Sequence, residues 1–192
     1  MKKILKGVSM FENGRKEPII GVCIHITEGT KEQTLNAFRT EEKSSHYLVT
    51  QEGEVWQFVE EFNTAWSQGI VRNPSAQIVL DRPNINPNAY LISIEHEGKD
   101  DISELQYNIS AQLLYDICSR RKIPLNRTHI IRHNEINKGK TCPAKISVEK
   151  LIELAKSFEP KPPEVSPSWF RSFLLSIISF LNNYLKLGGF RK

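Results

Sequence analysis

A histidine and a cysteine lie nine residues apart in the stretch RHNEINKGKTCPAK, where His133 and Cys142 flank two lysines and a glycine. Zinc in proteins is bound by imidazole nitrogen and thiolate sulfur, and a catalytic zinc site usually has three protein ligands and one open position. His25 is a third candidate ligand, because it lies in an apolar run where a free imidazole would need a partner. These three residues could form a catalytic zinc site.

Residue spacing alone is also compatible with simpler roles for these side chains. A single histidine in an apolar strand is more often a hydrogen-bonded core residue, and a single cysteine is more often a small buried apolar side chain. Cys142 and His133 could also be the nucleophile and base of a cysteine peptidase. Cys23 precedes His25 by two positions on the same strand face. We expect Cys23 to pack in the core, since a fourth protein ligand would close the open position.

Alternating strand and helix patterns would position these residues. The apolar, β-branched run IIGVCIHIT at 19–27 is typical of a central strand covered on both faces. Thr30 with Gln33, and Ser103 with Gln106, form capping-box patterns that predict two helix starts. The other predicted elements are a hairpin from SHYLVT and EVWQFVE, strands at YLISIEHEG and HIIRH, and a last helix at SVEKLIELAKSF. Together they predict an α/β fold with a mixed central β-sheet flanked by helices.

Six short motifs occur in an order that resembles one family. They are HITEGT, SSHYLVTQEGEVWQFV, TAWSQG, NPNAYLISIEHEG, HIIRHNEI and GKTCPA. The same order is found in zinc-dependent N-acetylmuramoyl-L-alanine amidases of the amidase-2 type, a family that includes phage lysozymes with amidase activity and the peptidoglycan recognition proteins. The resemblance spans residues 19–158. It implies the α/β fold with a mixed central sheet, a Zn²⁺ cofactor, and cleavage of the amide between N-acetylmuramic acid and L-alanine in peptidoglycan.

The resemblance also implies roles for individual residues. The family's metal ligands fall on His25, His133 and Cys142, and a cysteine at the third position is typical of the phage lysozymes. Glu95 matches the general-base glutamate of recycling-type members. Lys140 matches the lysine that stabilises the tetrahedral intermediate. A further residue, Trp66, resembles a position that lines the muropeptide groove, although a buried core tryptophan is the alternative.

One departure from the family pattern concerns the base. Phage members often have a catalytic tyrosine just before the histidine of the second strand, and this chain has Ser45 there. We expect Tyr47, two positions on, to belong to the core. Glu97 is a rival base, because it lies on the same strand face as Glu95.

The remaining histidines have simpler interpretations. His46 matches a family position and is expected to form structural hydrogen bonds. His96 is expected to face away from Glu95, because strand side chains alternate. His129 could orient a metal ligand.

Charge and composition restrict the partners. Residues 161–192 contain five of the 26 Lys and Arg residues and one of the 22 acidic residues, leaving 21 of each sign before them. The zero net charge of residues 1–160 argues against nucleic-acid binding by that part of the chain. Three cysteines without close pairing argue against a disulfide framework. The N-terminus lacks the apolar stretch of a Sec signal, so we expect synthesis in the bacterial cytoplasm and action on the wall after release.

Three segments are predicted along the chain. Residues 1–158 form the zinc amidase domain, and the proline-rich residues 159–168 form a stiff linker. Residues 169–192 form a basic amphipathic helix, which is expected to contact a membrane or lipopolysaccharide, with docking onto a protein surface as the alternative. The predicted function is a phage or prophage endolysin. The alternatives are a cytosolic muropeptide-recycling amidase and a module that binds peptidoglycan without cleaving it.

Overall fold

The computed structural model describes residues 2–3, 10–160 and 175–180. The strands are β1 (Lys2–Lys3), β2 (Phe11–Glu12), β3 (Gly21–Ile24), β4 (Tyr47–Val49), β5 (Val55–Gln57), β6 (Thr64–Ala65), β7 (Leu91–His96) and β8 (Ile130–Arg132). The α-helices of residues 10–160 are α1 (Lys31–Thr40), α2 (Gln77–Leu80), α3 (Glu104–Arg121) and α4 (Val148–Lys156). Strands and helices alternate, as predicted.

The main sheet has six strands in the order β1-β5-β4-β7-β3-β8. Only β4 and β5 pair antiparallel, and every other neighbouring pair in this sheet is parallel. The predicted hairpin is therefore confirmed, and so is the mixed central sheet. Strands β2 and β6 form a separate antiparallel pair. Strand β3 lies between β7 and the edge strand β8, and this arrangement brings together the carboxyl ends of three parallel strands.

Apolar side chains cover both faces of the sheet. On β3, Val22 and Ile24 pack with residues of α3 and α4, whereas Cys23 packs with residues of α2 on the other face. Because alternate strand residues point to opposite faces, His25 lies on the Cys23 side, away from α3 and α4. The prediction that Cys23 is a packing residue is confirmed.

Both capping boxes form. Thr30 Oγ1 accepts a hydrogen bond from the Gln33 amide, and the Gln33 side chain accepts one from the Thr30 amide, which starts α1 directly after β3. Ser103 and Gln106 repeat the arrangement at the start of α3. Each box satisfies amide groups that the first helical turn leaves without partners.

Some local structure differs from the sequence prediction. The loop rich in asparagine and proline contains the short helix α2 and a 3-10 turn at Pro87–Ala89. His133 does not end a strand but begins a 3-10 turn, His133–Glu135, directly after β8. These pieces have three or four residues, which is too short to show a helical period in the sequence.

The chain divides into two units, Met1–Glu159 and Pro160–Lys192, and each is described by itself. In the second unit residues 175–180 are helical. The rest of the predicted amphipathic helix at 169–192, and residues 161–168 of the predicted linker, lie outside the described residues. Among the residues that the structure describes, no helix has both the length and the apolar character needed to span a membrane.

Candidate metal centre and cleft

Three neighbouring parallel strands, β7, β3 and β8, bring the candidate residues to one end of the sheet. The ladder aligns the residue before His25 with the residues before Glu95 and His133 on the two neighbouring strands. Their side chains therefore emerge side by side at the carboxyl ends of β3, β7 and β8. Ligands of open α/β sheets bind at this end of the strands. Cys142 approaches the same point from the loop between β8 and α4.

The ligand atoms of His25, His133 and Cys142 all lie within 4.8 Å of one another, and all three residues are buried. His25 Nδ1 is 3.8 Å from Cys142 Sγ, and the two imidazole ring centres are 4.5 Å apart. Two imidazoles and one thiol match the ligand types that zinc prefers. The residues present therefore fit a zinc ion with three protein ligands.

Backbone hydrogen bonds hold the cysteine loop against β3. The Ile26 amide donates to Cys142 Sγ at 3.3 Å, and the Asn134 amide donates to the Cys142 carbonyl at 2.9 Å. An N–H group directed at sulfur favours a thiolate, because hydrogen bonding to a charged form stabilises it. The loop thus presents the sulfur to the two imidazoles.

Burial determines the protonation of the ligand set. Desolvation lowers the pKa of His25 and of His133, and for His25 the neighbouring His133 lowers it further. Both imidazoles are therefore neutral at neutral pH, which is the form that binds metals. Burial is the largest cause of the raised pKa of the Cys142 thiol, and the nearby Glu95 carboxylate raises this pKa further. A bound cation would oppose that rise, since it stabilises the thiolate.

Glu95 lies beside the ligand set with its carboxylate directed into the cleft. Its Oε1 is 3.9 Å from His25 Nδ1, and its Oε2 is buried with no hydrogen-bond partner among the described residues. Burial raises the pKa of Glu95 to about 8, the Glu28 carboxylate adds to the rise, and the Lys43 ammonium opposes it. At that pKa the side chain is mostly protonated at neutral pH, and a bound cation would lower the pKa toward the carboxylate form that a base requires.

A cleft of about 710 Å³ opens above the ligand set. Glu95, Lys140 and Trp66 line it together with the three candidate ligands. Trp66 is 41% exposed, so its ring is available to a ligand and is not a core residue. Lys140 is exposed on the cysteine loop. The structure thus brings all six predicted site residues into one cleft, and their roles remain predictions.

The alternative bases lie elsewhere. Glu97 does not line the cleft, and its two carboxylate oxygens accept hydrogen bonds from the amides of Lys31 and Gln51 at 2.8 and 2.9 Å. Glu97 therefore joins the start of α1 to the hairpin. Tyr47 is buried in the core, where its hydroxyl donates to Glu61 at 2.6 Å. The expectation that Tyr47 is a core residue is confirmed.

The other histidines have structural roles. His46 hydrogen-bonds Ser93 Oγ at 2.9 Å, as expected for a structural residue. His96 lies on the opposite face from Glu95, as predicted, and its Nδ1 donates to the His25 carbonyl at 2.8 Å. His129 hydrogen-bonds Asn126 and does not line the cleft, so the structure does not support a ligand-orienting role for it.

Two residues with long-range hydrogen bonds were missed by the sequence analysis. Gln68 lies in the TAWSQG motif, and its carbonyl accepts a hydrogen bond from His133 Nε2 at 3.1 Å. Arg15 donates to the carbonyls of Glu61, Asn88, Ala89 and Leu91, which are distant from it in the chain. Gln68 lies in a motif that the sequence analysis quoted, but nothing local marks the contacts of either residue, because those contacts form only in the folded chain.

Comparison with known proteins gives the family. The model of the Amidase_2 family, N-acetylmuramoyl-L-alanine amidase, matches residues 15–145, which include every candidate site residue. The chain belongs to this family. A search of curated protein sequences finds no match.

Solved structures share the fold at low sequence identity. A selenomethionine derivative of AmpD is 18% identical with a TM-score of 0.63, and the match covers 80% of this chain and 93% of AmpD. The endolysin amidase LysCS from Clostridium intestinale URNW is 14% identical with a TM-score of 0.54, covering 78% and 90%. AmiD from E. coli, complexed with anhydro-N-acetylmuramic acid-L-Ala-D-gamma-Glu-L-Lys, is 24% identical with a TM-score of 0.53, covering 64% and 51%.

Proposed function

We propose that this protein is a zinc-dependent N-acetylmuramoyl-L-alanine amidase that hydrolyses the amide between the lactyl group of N-acetylmuramic acid and L-alanine of the stem peptide. The observation that carries the proposal is the convergence of His25, His133 and Cys142 within 4.8 Å at the base of an open cleft. This convergence falls inside the segment that the amidase family model matches.

The three candidate ligands would hold Zn²⁺. A zinc ion bound there supplies Lewis acidity toward the scissile carbonyl and lowers the pKa of water at the open position. Neutral imidazoles and a sulfur that accepts an amide hydrogen bond suit that role.

Glu95 is the proposed general base. Its carboxylate lies 3.9 Å from His25 Nδ1, which is close enough to accept a proton from a water molecule bound next to the ligands. The unpartnered Oε2 is an available acceptor. Glu95 then returns the proton to the nitrogen of L-alanine, so that the C–N bond breaks with L-alanine leaving as a neutral amine and not as an amide anion.

Lys140 and Trp66 complete the proposed site. The Lys140 ammonium, on the cysteine loop, would face the oxyanion that forms when the carbonyl carbon becomes tetrahedral. Trp66 offers an exposed aromatic surface on which a sugar or peptide can pack. The complex of AmiD with a muramyl peptide supports this class of substrate.

Product analysis tests the proposal. Purified peptidoglycan treated with the full chain should gain new L-alanine amino termini and no new reducing sugar ends. A chelator should abolish this release, and added Zn²⁺ should restore it. Persistence after chelation, combined with inactivation by iodoacetamide in the zinc-free protein, would instead indicate the cysteine peptidase chemistry of Cys142 and His133.

The proposed biological role is lysis as a phage or prophage endolysin. Cys142 at the third ligand position supports it through the resemblance to phage lysozymes, and the fold is shared with the endolysin LysCS. A recycling amidase is the second candidate, which Glu95 favours through its match to recycling-type members. Activity on intact sacculi would support lysis, whereas activity confined to soluble muropeptides would support recycling.

The C-terminal segment is proposed to contact a bacterial membrane or lipopolysaccharide. Leu175, Ile177, Ile178 and Phe180 are 41–68% exposed in the described helical stretch 175–180. Five of the six charged residues after residue 160 are basic, which favours an anionic surface. Ile178→Asp in the full chain should weaken binding to anionic liposomes without changing hydrolysis of purified peptidoglycan. Ser176→Asp, which adds the same charge at a polar position, is the control, and equal liposome binding by all three proteins would reject the proposal.

A further inference from the structure

Gln68 lies beneath the two candidate histidine ligands and is 1% exposed. The amides of Gln68 and of the preceding Ser67 both donate to Asn88 Oδ1, at 2.9 and 3.1 Å. The next residue, Gly69, has a φ of +61°, a left-handed conformation that costs glycine little. These features hold the backbone at Gln68 in one position.

The backbone carbonyl of Gln68 fixes the tautomer of His133. His133 Nε2 lies 3.1 Å from this oxygen, and a carbonyl can only accept a hydrogen bond. The proton must therefore reside on Nε2. The other ring nitrogen, Nδ1, therefore keeps its lone pair and is the atom that can bind a metal ion.

The side chain of Gln68 lies beside His25. This side chain raises the pKa of His25, against the larger lowering by burial. His25 Nε2 and Gln68 Oε1 are both buried, and in the described part of the chain neither has a hydrogen-bond partner. His25 Nδ1 points the other way, toward Cys142 Sγ and Glu95 Oε1 at 3.8 and 3.9 Å.

We propose that Gln68 is a positioning residue for both histidine ligands. Its carbonyl holds the Nε2 proton of His133, and its side-chain oxygen holds the Nε2 proton of His25, so that both Nδ1 lone pairs face the Cys142 sulfur. Both atoms of the second bond are unpartnered in the structure, and a rotation of the buried Gln68 side-chain amide would be required to form it. This inference rests on the proposed zinc site and adds a residue that determines how that site is prepared.

Two substitutions separate the side-chain contribution from the backbone contribution. Gln68→Leu removes the side-chain acceptor and keeps the carbonyl that serves His133. Gln68→Glu keeps an acceptor oxygen, and Ser67 can then donate to it in place of the amide contact at 3.1 Å. Gln57→Leu is the matched control, since Gln57 is 3% exposed and lies in β5, outside the cleft.

The test measures the dissociation constant of Zn²⁺ for the full chain by competition with a chromophoric chelator. Groups that orient metal-bound histidines typically contribute 10- to 100-fold to metal affinity. Gln68→Leu should therefore bind Zn²⁺ about 10-fold more weakly than wild type, whereas Gln68→Glu and Gln57→Leu should stay within about threefold. In the metal-free protein, ¹⁵N shifts of the His25 ring should indicate the Nε2–H tautomer in wild type and a mixture of tautomers in Gln68→Leu.

Each outcome decides the inference. Equal affinity of wild type and Gln68→Leu would overturn it and leave the zinc site intact, and so would an equal loss in Gln57→Leu. If Gln68→Leu fails to fold, the inference depends on Gln68→Glu, which must retain affinity and the Nε2–H tautomer. Absence of Zn²⁺ binding by wild type would overturn the proposed function as well.

Discussion

The Nδ1 atom of His25 lies 3.8 Å from the Sγ atom of Cys142, although 117 positions separate the two residues in the chain. Strand β3 delivers the imidazole, and the loop after β8 returns the thiol to it. The Ile26 amide then fixes the sulfur through a hydrogen bond of 3.3 Å. The ligand set at the cleft thus depends both on parallel strand pairing, which places His25, and on the loop after β8, which places Cys142.

Glu95→Gln should lower the rate of amide hydrolysis about 10²- to 10⁴-fold, because a neutral amide cannot accept the proton of the attacking water. Zinc affinity should remain within a few fold of wild type, since Glu95 is not one of the three proposed ligands. Glu97→Gln is the matched control and should keep its activity per folded molecule. Retained activity in Glu95→Gln together with loss in Glu97→Gln would transfer the base role to Glu97.

Lys140→Met should lower kcat about 10²-fold, the usual effect of removing one group that stabilises an oxyanion. The long apolar side chain preserves most of the packing on the cysteine loop. Lys138→Met, on the same loop but outside the lining of the cleft, should behave as wild type. Equal kcat values for both variants would exclude a role for Lys140 in the reaction.

Trp66→Ala should raise KM for muropeptides about 10-fold, which corresponds to partial burial of an aromatic side chain under substrate. The value of kcat should change little, because Trp66 lies on the wall of the cleft. Phe62→Ala serves as the control, since Phe62 is 62% exposed and does not line the cleft. A KM that is unchanged in Trp66→Ala would place the substrate elsewhere.

The stability of the metal-free protein should fall as the pH is lowered below about 6.5, the unperturbed histidine value. Burial lowers the pKa of His46 to about 3 and of His96 to about 4 in the folded chain. At these two histidines the unfolded chain therefore binds more protons than the folded one between those values and 6.5, and acid favours unfolding, whereas Glu95 with its raised pKa opposes this by at most one proton. Each such histidine contributes a slope of up to about 1.4 kcal/mol per pH unit.

Urea unfolding in the presence of a chelator at several pH values between 7.5 and 4 measures that slope. His96→Gln should flatten it, because one proton-binding difference is removed. A free energy of unfolding that stays constant from pH 7 to pH 5 would contradict the expected protonation states.

Much of the fold can be predicted from local sequence. The capping boxes at Thr30 and Ser103 fix the helix starts within the chain segment itself, and apolar runs mark β3 and β7. The pairing of β2 with β6 could not be predicted, because two-residue strands are defined only by a partner that the folded chain supplies. Helix α2, with four residues, likewise has no periodic pattern to detect.

The site was only partly predictable. The ligand set could be proposed from residue types and motif order, and the structure brings those residues together. The contact of Gln68 with His133 could not be found, because a backbone carbonyl makes it across 65 positions of the chain. It depends on tertiary geometry, which no spacing in the sequence records.

The most direct measurement determines the zinc content of the purified full chain and the release of L-alanine amino termini from peptidoglycan, for wild type beside Cys142→Ala. Cys118→Ala, which alters a buried core cysteine outside the cleft, is the control. Wild type and Cys118→Ala should each carry one zinc ion and release L-alanine termini, whereas Cys142→Ala should lose both properties. A wild-type protein that contains no zinc and gains no activity from it, or a fully active Cys142→Ala variant, would contradict the proposed metal centre.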